Sequence, residues 1–274
     1  MSGCEYQIAV MIPTRNRTVP LKLCLESLIN NASDVNSIQI LLGFDNDDQS
    51  GFDYFVQEVE PWLKEKDVNY IVMKFERMGY ANINRYYNTL AEHSDSDWLM
   101  GWSDDAAMET IGWDKIITSH TGEFKLLKVH THNEHPYSIF PIWPREWYNL
   151  FGHVSRHQMV DAEISQIGYM VNRVVVVDIY VTHNRPDLTG EHEDETHTNR
   201  VLLEGNRSNP LDLHHFSFVN GRYQDAGTVA EYLKSKGEDV SFWENVKAGK
   251  QDPWEILKLN DINNHTTQIK VLYE

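Results

Sequence analysis

Residues 97–109, DWLMGWSDDAAME, run from an apolar, aromatic stretch into two adjacent carboxylates, Asp104 and Asp105. Carboxylates beside a core are costly unless something positive pairs with them. A carboxylate pair at a strand end is what a hard divalent cation needs. Mg2+ or Mn2+ takes oxygen ligands, keeps some waters and shares itself with substrate phosphates. The same dipeptide also occurs in solvated turns, so alone it leaves both readings open.

Two other polar clusters follow apolar runs in the same way. QIAVMIPTRN (7–16) closes in Pro13, Thr14, Arg15 and Asn16, and SIQILLGFDNDD (37–48) stops in Asp45 to Asp48. A further carboxylate pair, Asp161 and Glu163, lies in HQMVDAEISQIG (157–168), at the start of a predicted helix where the helix dipole favours negative charge.

The elements that must position these groups are legible in the periodicity. Runs at 7–16, 37–48, 69–75 and 97–102 read as buried strands. Between them, Leu21, Cys24, Leu25 and Leu28 mark one helix. Phe52, Phe55, Val56, Val59 and Leu63 mark a second, and Ile83, Tyr87, Leu90 and Ala91 a third over 81–93. Alternating strands and helices favour a parallel sheet covered on both faces. Ligands in such sheets sit beyond the carboxyl ends of the strands. All three clusters then converge on one rim.

The second half is less regular. Residues 123–132 and 173–183 read as strands, 139–152 as an aromatic, Pro-rich segment, and 160–171 as a helix. From about residue 187 the character changes to a charged stretch and then patchy helix at 228–236 and 253–260, with Trp243 and Trp254 as anchors.

Composition bounds the function. The 274 residues carry 24 basic and 41 acidic side chains, a formal charge of −17. That argues against broad electrostatic capture of nucleic acid or an anionic membrane. A local strip from Arg145, Arg156, Arg173 and Arg185 is the place where an anionic acceptor could still bind. Two cysteines, Cys4 and Cys24, give neither a disulfide framework nor metal-ligand spacing. No charged-then-apolar leader and no membrane-length apolar run is present, so a soluble, intracellular (cytoplasmic) protein is expected.

The order of the motifs resembles glycosyltransferase family 2 and related GT-A enzymes. IAVMIPTRNR comes first, then a strand ending in Asp45, then Gly79 and Asn88-Thr-Leu-Ala, then DWLMGWSDDA. The resemblance covers roughly residues 7–185 and implies a GT-A, Rossmann-like α/β fold. Its mostly parallel central sheet would be flanked by helices over 1–186, with a helical or irregular extension over 187–274 packed on that domain.

The resemblance also implies roles. Pro13, Thr14 and Arg15 would line the nucleotide pocket, and Asp45 would accept a hydrogen bond from the base. Asn84, Arg85 or Asn88 would lie near the diphosphate or sugar. Ser103-Asp104-Asp105 occupies the family's Asp-x-Asp position, with Ser103 in place of the first Asp. Asp105 would then bind the metal, Asp104 assisting through the ribose or a water, and His183 would be a further metal ligand. Asp161 would be the catalytic base, with Glu163 the alternative. Within Phe140–Trp147, aromatic faces such as that of Trp147 would contact the acceptor.

The implied function is metal-dependent transfer of a sugar from a nucleoside diphosphate sugar to an acceptor hydroxyl, inverting at the anomeric carbon. A UDP-sugar donor is favoured, because the family often uses one. The acceptor could be a glycan, a protein or a modified nucleic-acid base. One rival is a non-catalytic relative that binds a sugar or a partner, to which Ser103 lends weight. Another is a sugar-phosphate nucleotidylyltransferase, disfavoured because IPTRNR contains no glycine. The clusters His130, His132, His135 and His192, Glu193, His197 read as strand-to-loop and solvated residues, and His214-His215 carries no signal.

Overall fold

A computed structural model describes residues 4–131, 137–184, 198 and 216–253. Four apolar runs form parallel strands: β1 (Tyr6–Thr14), β2 (Ile38–Asp45), β3 (Asn69–Phe75) and β4 (Ser96–Gly101). β2 and β4 flank β1, and β3 lies outside β2. Because β1 and β2 are buried on both faces, successive residues feed opposite cores. Ile8, Val10, Ile12, Ile38, Ile40 and Leu42 enter one; Ala9, Met11 and Leu41 enter the other.

The first core is covered by α1 (Thr18–Asn30) and by α2 (Gln49–Tyr54). α2 passes through a π-helical turn, Phe55–Val59, into α3 (Glu60–Glu65). The second is covered in part by α4 (Ile83–Glu92). The chain steps from β1 to β2 to β3, then returns to β4 on the other side of β1. This reversal is the topological switch point at which ligands bind in open α/β sheets.

After β4 the sheet becomes mixed. Its eight strands run in the order β3-β2-β1-β4-β7-β6-β8-β5. The added strands are β5 (Ala106–Met108), β6 (Leu126–Thr131), β7 (Ile142–Pro144) and β8 (Val174–His183). Neither β5 nor α5 (Trp113–Ser119) is legible in the periodicity; Trp113 and Ile117 of α5 are buried in the first core. The aromatic, Pro-rich segment splits into β7 and α6 (Arg145–Phe151).

α7 (Val160–Met170) lies against β6 and β8. A Cβ at Gly168 would come within 2.8 Å of Val174 and 3.1 Å of Leu126, so only glycine allows this close approach. α8 (Phe216–Ser235) begins well before the helix expected at 228–236, and α9 (Ser241–Lys247) follows it. Ala226, Val229, Ala230 and Leu233 of α8 and Trp243 of α9 share one core with Trp147 of α6 and Val160, Ile164 and Ile167 of α7. The expected helix at 253–260 and its Trp254 lie outside the described residues. No helix among the described residues is long and apolar enough to cross a membrane.

Candidate active site

The carboxyl ends of β1 and β2 form one side of the site. Asp45, the last residue of β2, is buried and has both carboxylate oxygens engaged. Oδ2 accepts from Arg15 Nη1 at 3.1 Å, and Oδ1 accepts from the Tyr86 hydroxyl. Arg15 also pairs with Asp47, which holds that carboxyl below its ordinary range. Burial, then the bond to Asp45, pushes the Tyr86 phenol up to about 12. Its oxygen accepts from the Met78 backbone N–H at 3.0 Å, which ties the β3–α4 connection to this corner.

Next to it, Asp48 Oδ1 caps α2 through Gly51 N at 3.0 Å. Its Oδ2 accepts from Asn16 N at 2.7 Å, holding Asn16 in the left-handed region at φ 53. The Thr14-Arg15-Asn16 cluster and the Asp45 to Asp48 cluster are thus one hydrogen-bonded unit. Arg15 is half-buried and Pro13 and Thr14 lead into it.

The ends of β4 and β8 form the second side. β5 pairs antiparallel with β8, with Ala106 opposite His183. Asn184 N donates to Asp105 O at 2.9 Å. This pairing brings His183 Nε2 to 3.2 Å from Asp105 Oδ1, with both residues 9% exposed. The Ser103 hydroxyl donates to the same oxygen, and Arg17 lies 3.7 Å from Oδ2. Burial alone would raise the Asp105 pKa. His183, Ser103 and Arg17 outweigh it and hold the carboxyl at about 2.

The donor chemistry of this pair, a carboxylate and an imidazole, would suit a divalent cation. In the octahedral shell of about 2.1 Å radius that Mg2+ takes, adjacent ligand atoms lie about 3.0 Å apart. The observed 3.2 Å matches two neighbouring ligands. Among the described residues no group of three or more His, Cys, Asp or Glu forms a complete set. Ser103, at the position where the resemblance expects an Asp, donates its hydroxyl to Asp105.

Tyr87 of α4 ties that helix to the residue after β4, a role the sequence did not reveal because Tyr87 sits on an ordinary helix face. Its hydroxyl donates to Trp102 O at 2.7 Å. Burial raises its pKa, and the charges of Asp104, Asp161 and Asp105 raise it further. Every residue of α7 is buried except Asp161, which is half-buried.

Glu163, by contrast, is buried and committed to the backbone. Its Oε2 accepts from Arg156 N at 2.8 Å, from His157 N at 2.9 Å and from the Ser155 hydroxyl. Asn88 clamps the same loop: its Oδ1 accepts from Val154 N and Ser155 N at 2.7 and 3.1 Å, and its Nδ2 donates to Ser155 O at 2.9 Å. Asn84 donates to that carbonyl at 3.3 Å, while Arg85 is exposed.

Two expectations require correction. Trp147 offers no face to an acceptor. It is fully buried between Phe124 and Phe151, because the helices after residue 187 close over α6. Among the described residues, the arginines expected to form a strip are each engaged elsewhere. Arg145 is turned inward onto Ser96 O and Ala91 O, Arg156 pairs with Asp225, and Arg173 pairs with Glu238. Arg185 lies outside the described residues, as do His132, His135, His192, Glu193, His197, His214 and His215. His130 stacks on Tyr180, ring centroids 4.8 Å apart.

No family model matches the sequence, and no curated protein matches it. Solved structures do. The mannosyltransferase PcManGT from Pyrobaculum calidifontis, in complex with GDP-Man and Mn2+, aligns with a TM-score of 0.56 at 11% identity, over 90% of this chain and 81% of that one. S. aureus TarS 1-349 aligns at 0.52 and 12% identity, over 89% and 92%. Its complex with UDP-GlcNAc aligns at 0.52 and 13%, over the same 89% and 92%. With its mostly parallel, helix-flanked sheet and its polar rim at the switch point, the chain has the GT-A-like fold of these solved glycosyltransferases.

Proposed function

We propose that this protein transfers a sugar from a nucleoside diphosphate sugar to an acceptor hydroxyl. One observation carries the reading: Asp105 and His183 meet at 3.2 Å at the strand ends of a GT-A-like sheet, and Asp161 is the one residue of α7 that is not buried. Asp161 would then be the carboxylate that removes the acceptor proton, and Asp105 the one that binds a cation. Donors of this class are supported by the GDP-Man and UDP-GlcNAc complexes of proteins with the same fold.

Asp105 and His183 would hold Mn2+ or Mg2+, the remaining positions falling to the donor diphosphate and water. Bound there, the cation supplies charge stabilisation to the departing nucleoside diphosphate. Pro13, Thr14, Arg15 and Asp45 would line the base and ribose, with Asp45 already oriented by Arg15 and Tyr86. Asp161 takes the proton from the acceptor hydroxyl as its oxygen bonds to the anomeric carbon. The bond from that carbon to the phosphate oxygen breaks, and its electron pair leaves with the nucleoside diphosphate. A single displacement inverts the anomeric carbon.

Water can stand in for the unidentified acceptor. The test is release of UDP or GDP from UDP-GlcNAc or GDP-Man with Mn2+, in the wild type and Asp161→Asn. The reading expects release in the wild type and a loss of roughly 100-fold or more in the variant, the scale of a positioned general base. Equal release from both would remove Asp161 from the mechanism. The Ser103-Asp105 bond favours a second reading, a non-catalytic nucleotide- or sugar-binding relative. Binding of the donors without any release would support it.

A further inference from the structure

We propose that Asp225 of α8 is a positioning residue for the transfer reaction, acting on Asp161 through Arg156 and the loop 153–159. This rests on the role proposed for Asp161. That loop delivers the first turn of α7, and it is held from three sides. Asn88 and Asn84 of α4 bind Val154 and Ser155. Glu163 of α7 binds the Arg156 and His157 amides. The third side is α8.

There, Asp225 is 3% exposed and takes the Arg156 guanidinium on both oxygens, with Nη2 to Oδ1 at 2.9 Å. His153 Nε2 lies 3.1 Å from Oδ2 of the same carboxylate. Arg156 Nη1 also donates to Gly221 O at 3.3 Å. A Cβ at residue 221 would sit 3.3 Å from Arg156 Cδ, so the glycine makes room for the guanidinium to lie along the helix. The His157 ring meets Phe218 of α8 edge-on at 4.4 Å, and its Nδ1 accepts from Met159 N at 3.0 Å, one residue before α7 begins.

Arg156 thus has its guanidinium on α8 and its amide on the first turn of α7, two residues from Asp161 by way of Glu163. A fork-shaped guanidinium on a carboxylate fixes direction as well as distance. Displacing a reacting group by about 1 Å can cost about 100-fold in rate. α8 therefore sets where Asp161 stands without touching substrate.

The experiment compares wild type, Asp225→Asn, Asp225→Glu, Arg156→Lys and Asp161→Asn in the nucleoside diphosphate release assay. Hydrogen exchange is followed at the Arg156 and His157 amides. For Asp225→Asn the expected result is a kcat lower by roughly 10-fold or more, the scale of a misplaced group. Donor KM should stay unchanged, exchange at both amides should be faster, and Asp225→Glu should recover part of the kcat. Arg156→Lys keeps the charge but loses the fork and should move the same readouts. It carries the test if Asp225→Asn does not fold.

Loss of turnover in Asp161→Asn with none in Asp225→Asn and Arg156→Lys would overturn this inference alone. Full turnover in Asp161→Asn would overturn the role of Asp161 and this inference with it. If the wild type releases nothing, the proposed function fails, and the exchange arm still decides whether Asp225 holds the loop. Unchanged exchange at both amides in Asp225→Asn would refute it.

Discussion

Asp105 and His183 stand 3.2 Å apart, carboxylate to imidazole, because the three residues of β5 hydrogen-bond to the end of β8. The pair lies at the rim formed by the ends of β4 and β8, and it has a measurable signature in acid.

The Asp105 carboxyl is held at about 2 in the folded protein. An unfolded Asp titrates at about 3.9. A depressed carboxyl contributes stability that is present above the unfolded value and lost as pH falls through the folded one. The window is therefore roughly pH 4 to pH 2, and a shift of this size corresponds to about 2 kcal/mol. The stability difference between wild type and Asp105→Asn, measured by denaturant unfolding, should shrink by that order across the window. A difference that does not change with pH would show that the pair contributes nothing to folding.

Tyr86 joins β3, α4 and Asp45 at one hydroxyl. Tyr86→Phe leaves the Met78 amide without its acceptor and Asp45 without one donor. The expected cost is about 1–3 kcal/mol, the scale of unsatisfied buried polar groups. If Asp45 needs Tyr86 to face the base, nucleotide affinity falls as well. Calorimetry on a folded Tyr86→Phe protein separates the two effects.

Trp147 packs the core. Trp147→Ala should lower unfolding stability by about 3–5 kcal/mol through the cavity it leaves. Trp147→Phe, which refills part of the volume beside Phe124, should lower it less. A Trp147→Ala protein of wild-type stability would contradict its burial.

The sequence was most readable where physics is local. β1, β2 and β4 are buried on both faces and so appear as unbroken apolar runs, and the polar clusters that end them meet as expected. Asp105 and His183 also meet, yet the link between them was hidden. Ala106–Met108 is too short to carry a strand period, and its pairing depends on a partner far along the chain.

The arginine strip failed for the same reason. Asp225, in α8, and Glu238, in the α8–α9 connection, neutralise Arg156 and Arg173, and no local pattern announces how that part of the chain packs. Trp147 was misread because an aromatic on an amphipathic segment looks alike whether solvent or another helix covers it. What covers it here is α8, whose helical span began earlier than its periodicity suggested. Glu163 and Asp161 were left as alternatives by sequence, and it is the burial of Glu163 and the donors on its Oε2 that set it apart in the structure.

On the proposed function, Asp105 and His183 would bind a cation that carries the donor diphosphate. The most direct measurement is calorimetric binding of UDP and GDP, with and without Mn2+, to the wild type and to Asp105→Ala. The account predicts nucleotide binding that strengthens with Mn2+ and weakens about 10-fold or more, or about 1.4 kcal/mol, when Asp105 is removed. Nucleotide binding indifferent to both the metal and Asp105, or no binding under any condition, would contradict it.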